Sequence, residues 1–170
     1  MFSSETYAIE DCNIYTSDGT GLNGTFTTGD GYITGCQANV GLTPTGFPSN
    51  FQFSYEAYMN PGTTSYSNNN SLWRIGTDEN NGILIGVESE NKRIRIYNRV
   101  NNSNSSQQIM TDCFNYQEWV TVVIEYNSGV WKITIGSKSI SYSKSFTPAI
   151  LHLNAAATNT RLREVKVKPL

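Results

Sequence analysis

Apolar and polar residues alternate through "FQFSYEAYM" (Phe51 to Met59) and again through "ILIGVE" and "RIRIY". No stretch repeats apolar residues at i, i+3, i+4 and i+7 over three turns. A period of two in runs rich in Val, Ile, Thr, Tyr and Phe is the mark of half-buried strands. Strands are predicted around Ala8 to Tyr15, Gly31 to Gln37, Asn50 to Met59, Leu72 to Thr77, Gly82 to Glu88, Lys92 to Val100, Glu118 to Tyr126, Val130 to Ile135, Lys138 to Ser143 and Arg161 to Lys168. "FTPAILHLNAAAT" is predicted to hold one more strand with a short helical turn after it. Turns fall at "SDGTG", at "NNG" ending on Gly82, at "NSG" ending on Gly129 and at "GSK" from Gly136, where residues tolerant of positive φ separate the runs. The polar stretches Asn60 to Asn70 and Asn101 to Gln108 are predicted as exposed loops. Strands at this spacing predict an all-β antiparallel two-sheet sandwich or jelly roll, one domain over residues 1–170.

Parity sets the faces. A short loop at Glu90 and Asn91 pairs Val87 with Ile94 and Ile85 with Ile96 on one face. It pairs Glu88 with Arg93, Gly86 with Arg95 and Leu84 with Tyr97 on the other. Burying Ile83, Ile85, Val87, Ile94 and Ile96 contributes roughly 1.5–3 kcal/mol each, against about 0–1 for an exposed Glu88–Arg93 pair, so the apolar set faces the core. The same argument buries Phe51, Phe53, Tyr55, Ala57 and Met59 and turns Gln52, Ser54, Glu56 and Tyr58 outward. Trp131, Ile133, Ile135, Val122 and Ile124 are expected inside. "EWVTVVIEY" is apolar on both faces, as in a strand covered on each side.

Composition narrows the function. Twelve Lys plus Arg against fourteen Asp plus Glu give a formal charge of −2, with no basic footprint for nucleic acid. No apolar run approaches the roughly twenty residues that span a bilayer, and the N-terminus lacks the pattern of a secretory signal, so a soluble chain is expected. Three cysteines at unrelated spacings fit neither a disulfide framework nor a zinc site, and free packing thiols are expected, with Cys12–Cys36 the least implausible bridge.

The runs "FQFSYEAYM", "LWRIGTDENNGILIGVESENKRIRIY", "EWVTVVIEYNSGVWKITIG" and "LREVKVKPL" together resemble the concanavalin A-like jelly rolls, especially laminin-G-like modules. The likeness covers Phe51 to Leu170 as a pattern of strands: an aromatic-rich strand, a hairpin, a Trp-led strand with a Gly turn, and a last strand returning beside the first. It implies two curved antiparallel sheets that take ligands on a concave face or at rim loops. Similar modules bind glycans or decorate bacteriophage tails, baseplates and heads.

Catalysis finds no seat. Glycosidic cleavage needs two carboxylates about 5–9.5 Å apart across the bond. The nearest match is Glu88 with Glu90, but Glu90 falls in a turn and Glu88 faces Arg93, which would keep it ionised. The single His152 shares a strand face with Ile150 and reads as structural. There is no GxSxG motif, and "GTGLNG" fits no phosphate loop. In "TDENNG", Asp78 and Asn80 offer oxygens that suit Ca²⁺ at a rim, although a plain turn accounts for the same residues and no cofactor is required.

A ligand seat is expected on the outward face of the central hairpin. There Arg74 and Arg95 border the gap left by Gly86, with Tyr97, Glu88, Tyr58 and Glu56 nearby. Aromatic faces stack on sugar rings while Arg and Glu bond hydroxyls or an acidic substituent. A solvated ion-pair lattice formed by Arg74, Arg93, Arg95 and Glu88, or a contact to another protein chain, is the competing account. The sequence reading is therefore a non-catalytic module that binds a cell-surface glycan. It is expected in a bacteriophage virion or tail assembled in the host cytoplasm, alongside other virion proteins and as a homo-oligomer, with an extracellular setting as the alternative. A purely structural virion decoration protein is the runner-up function, and a glycoside hydrolase or lyase the third.

Overall fold

The computed structural model describes residues 11–16, 37–42, 49–59, 73–78, 80–88, 92–147, 150–154 and 160–170. The strands are β1 (Asp11–Thr16), β2 (Gln37–Leu42), β3 (Phe51–Met59), β4 (Trp73–Asp78), β5 (Asn81–Glu88), β6 (Arg93–Val100), β7 (Ser103–Thr111), β8 (Trp119–Asn127), β9 (Val130–Ile135), β10 (Lys138–Ser143), β11 (Ile150–Asn154) and β12 (Thr160–Pro169). They form a seven-stranded sheet in the order β1-β2-β11-β4-β5-β6-β7 and a five-stranded sheet in the order β10-β9-β8-β3-β12. Every pairing is antiparallel except β1 with β2, which run parallel at the edge of the larger sheet.

The hairpin register is the one that parity demands. Val87 lies opposite Ile94, Ile85 opposite Ile96, Leu84 opposite Tyr97, Gly86 opposite Arg95 and Glu88 opposite Arg93. Ile83, Ile85, Ile94 and Ile96 pack from the seven-stranded sheet against Phe51, Phe53, Tyr55, Val122, Ile124 and Trp131 from the other, in one buried cluster. β3 alternates buried and half-buried residues along its whole length, and β8 and β9 bury Val122, Ile124, Trp131, Ile133 and Ile135. The outer face of β8 departs from expectation: Thr121 is exposed and Trp119, Val123 and Glu125 are half-buried, so that face is not roofed as the core face is.

Asn101 to Gln108 also departs, being a turn and a strand rather than a loop. Asn101 and Asn102 both adopt positive φ (47° and 64°), the pair of conformations that a type I′ hairpin requires. Val100 then pairs with Ser103, and β7 continues along the sheet edge. A strand with polar side chains on an edge need bury little, so its composition resembles that of a loop. The second strand lies at Gln37–Leu42, displaced towards the C-terminus from the predicted Gly31 to Gln37. The stretch Asn60 to Asn70, the helical turn after β11 and the Cys12–Cys36 pairing lie outside the described residues.

The sandwich is closed on one side by the chain leaving β10. Trp131 Nε1 donates to the Lys144 carbonyl at 2.8 Å, the Tyr126 hydroxyl donates to the Phe146 carbonyl at 2.9 Å, and the Phe146 ring stacks 5.2 Å from Trp131. Lys144 Nζ crosses to the larger sheet and donates to the Gly82 carbonyl at 2.9 Å and to Asn98 Oδ1 at 3.2 Å. Partial burial pulls the Lys144 pKa below its ordinary value.

Two outcomes follow for stability. Ile85→Ala should cost about 2–5 kcal/mol in chemical denaturation. Gly82→Ala should also destabilise, because an added Cβ would overlap the Ile75 carbonyl oxygen and the Gly76 backbone. The Cys113 thiol is buried, and desolvation chiefly raises its pKa to about 11. A raised folded pKa stabilises the fold fully below the unfolded thiol's value and less as pH climbs towards 11. Alkylation of the Cys113 peptide by iodoacetamide at pH 8, read by mass spectrometry, should therefore be slow in native protein and fast in urea.

Candidate functional site

The residues expected to share one ligand seat stand on two different sheets. Arg74 on β4, Glu88 on β5, and Arg95 and Tyr97 on β6 belong to the seven-stranded sheet, whereas Glu56 and Tyr58 on β3 belong to the five-stranded one. Both sheets bury their inner faces in one core, so their outer faces look away from each other. The six residues cannot line a single small seat.

On the larger sheet the expected gap is closed. Gly86 is buried, and Leu84 and Tyr97 are only 5% and 6% exposed although both turn away from the core cluster. Tyr97 thus offers no open ring for stacking. Parity tells which side chains leave the core but not whether they are covered, and Leu84, Gly86 and Tyr97 are. Register also sets Arg74 opposite Leu84 and His152 rather than beside Gly86, while Arg95 is opposite Gly86 as expected. The side chains of Arg74 and Glu88 lie outside the described residues.

The proposed calcium turn is tied down in another way. The Asn80 carbonyl accepts from Asn102 N at 3.0 Å, and Asn81 Oδ1 accepts from Asn101 N at 3.0 Å, which staples this turn to the β6–β7 hairpin. Asn80 is exposed, and the Asp78 side chain is outside the described residues.

On the five-stranded sheet, Glu56 and Tyr58 do come together with partners. β3 lies between β8 and β12, so Tyr58 is flanked by Trp119 and Arg161, and Glu56 by Thr121 and Arg163. Arg163 Nε donates to Glu56 Oε2 at 2.5 Å, and the Arg163 guanidinium lies 3.9 Å from the centre of the Trp119 ring. Arg161 stands 4.9 Å from the centre of the Tyr58 ring, and the two aromatic rings are 5.3 Å apart. Both cation–ring distances fall within the roughly 6 Å over which a ring quadrupole holds a cation. Each long side chain is thereby braced by a ring or a carboxylate.

Beside this group an open cleft of about 440 Å³ is lined by Ser54, Tyr55, Glu56, Thr121, Arg163 and Glu164. A break in the β3–β12 register between Arg163 and Lys166 creates its end wall, where Glu164 takes a left-handed φ of 54°. That bulge re-aims Glu164 into the cleft rim, a known use of bulges. The cleft therefore carries hydroxyls, carboxylates and a guanidinium next to two aromatic rings, and its size falls in the range of about 300–1,000 Å³ common for small-ligand sites. A smaller hollow of about 240 Å³ between the β7–β8 connection and the β9–β10 turn includes Cys113 and Glu118, but the Glu118 carboxylate already accepts from Asn115 at 3.0 Å.

Sequence reasoning placed Glu56 and Tyr58 on an outer face but missed Trp119, Thr121, Arg161 and Arg163. The signal lay in "LREVKVKPL", where Arg and Lys alternate with apolar residues. Which strand it would flank was not readable from the alternation.

No protein-family model and no curated protein sequence matches the chain. Solved structures do resemble it in shape. The carbohydrate-binding module CBM66 from Bacillus subtilis superposes with a TM-score of 0.60 at 15% identity, covering 94% of this chain and 99% of that one. The Caenorhabditis elegans galectin LEC-6 gives 0.61 at 8% identity over 85% and 94% of the two chains. CG-16, a homodimeric agglutinin from chicken liver, gives 0.57 at 7% identity over 81% and 98%. At such identities it is the fold that is shared, and this chain has the jelly-roll β-sandwich fold of these carbohydrate-binding modules and galectins.

Proposed function

We propose that the protein binds a glycan, without turnover, on the outer face of its five-stranded sheet. The observation that carries this reading is the meeting of Tyr58 and Trp119 with Arg161, Arg163 and Glu56 beside an open polar cleft. Sugar rings present apolar C–H faces that pack on aromatic rings, and hydroxyls that both donate and accept, which Ser, Thr, Glu and Arg side chains answer. That a carbohydrate-binding module shares the fold supports the same function. Glu56, the carboxylate beside Tyr58, is held to a guanidinium at 2.5 Å, an arrangement suited to binding rather than to proton transfer.

The finer setting is a bacteriophage virion or tail component that attaches, as a homo-oligomer, to a cell-surface glycan. It rests on the resemblance of the sequence to laminin-G-like modules. An assembly function without glycan binding would appear as tight co-purification with a particle and no response to saccharides.

The test is titration calorimetry against a panel of cell-surface saccharides. Trp119→Ala and Tyr58→Ala should each weaken binding at least tenfold while the melting temperature holds, and Arg95→Ala on the opposite face should leave it unchanged. Loss with Arg95→Ala and retention with Trp119→Ala would move the ligand to the seven-stranded sheet. No part of this reading needs calcium: the melting temperature should be equal in calcium and in EGTA, and a calcium-dependent rise would put an ion at the Asp78–Asn80 turn.

A further inference from the structure

We infer that the glycan bound on this face is an acidic one, a saccharide bearing carboxylates, and that it lies along β12. The inference rests on the glycan-binding reading above and adds the chemical class of the ligand.

The argument begins with the distribution of charge. The chain carries a formal −2 overall, yet β12 holds four of its twelve cations, Arg161, Arg163, Lys166 and Lys168, within ten residues that include one carboxylate, Glu164. Register sets these four opposite Tyr58, Glu56, Ser54 and Gln52, and the side chains of Arg161 and Arg163 lie with those of Tyr58 and Glu56 on the outer face. Neighbouring positions in such a row of cations stand roughly 6–7 Å apart at 3.2–3.4 Å per residue. Glu56 answers Arg163 at 2.5 Å and so takes one cation out of the row, whereas Glu125 lies 3.8 Å from Lys132, on the far side of β3 from β12.

Position adds to charge. β12 is the outermost strand of the five-stranded sheet, so a long ligand can run beside it without meeting another strand of that sheet. Lys168 is exposed, and Arg161 is presented next to Tyr58, where one sugar could stack on the ring and lay a carboxylate against the guanidinium. Guanidinium groups take carboxylates through two parallel hydrogen bonds, which gives selectivity for the acid over its uncharged derivatives.

The experiment compares oligosaccharides containing galacturonate, glucuronate or sialic acid, each beside its carboxyl methyl ester, with dextran sulfate as a plain polyanion. At least one acid should bind ten times more tightly than its ester, more weakly as salt is raised from 50 to 300 mM, and more weakly in Arg161→Gln and Lys168→Gln. Dextran sulfate should not match that acid. If esters or neutral sugars bind as well as the acids, and the two variants bind normally, the acidic assignment is overturned while glycan binding stands. Binding to dextran sulfate alone also overturns it, leaving a nonspecific polyanion surface. Failure of every saccharide, acidic and neutral, removes both readings.

Discussion

The structure depends on two sheets presenting apolar side chains of a single parity to one another. Ile83, Ile85, Ile94 and Ile96 from one side meet Phe51, Phe53, Tyr55 and Trp131 from the other, each no more than 1% exposed. Because side chains alternate strictly along a strand, sending these residues inward sends the intervening ones outward with no freedom of choice. Glu56 and Tyr58 reach the surface for this reason. Their position is a by-product of core packing that the surface then uses.

A second constraint gathers charged and aromatic groups on that outward face. β12 returns from the end of the chain to lie against β3, so "RLREVKVK" supplies cations alongside "SYEAY" although about a hundred residues separate them. The bulge that follows Arg163 lets Arg161 and Arg163 keep step with Tyr58 and Glu56 while Glu164 turns into the cleft rim. Trp119 joins from β8 on the other side of β3. Three strands thus converge on one patch, and a rigid sheet holds the groups at fixed spacing, which would reduce the ordering cost of the proposed binding.

The parts of the fold legible in the sequence were those that a local period determines. The central hairpin register and the inner faces of β3, β8 and β9 followed from alternation, because burial of the isoleucines and aromatics outweighs surface ion pairs. β7 was not legible: "SNSSQQ" lacks the apolar alternation that marks a strand with one buried face, and only pairing with β6 makes it extended. The six residues expected at one ligand seat are divided between the two sheets for a related reason. Alternation places a residue on a face but says nothing of which sheet its strand joins, so Arg95 and Tyr58 looked like neighbours when they lie on opposite sides of the molecule. Nor could it reveal that Tyr97, though outward, is covered.

The most direct measurement of the central claim follows the indole N–H resonances of the protein by NMR during titration with an acidic oligosaccharide. Trp119 is half-buried on the outer face, whereas Trp131 is locked in the core and bonded to the Lys144 carbonyl. The account predicts that the Trp119 signal moves with saturation while the Trp131 signal stays in place. A saturating shift confined to backbone amides of β5 and β6, with Trp119 unmoved, would contradict it.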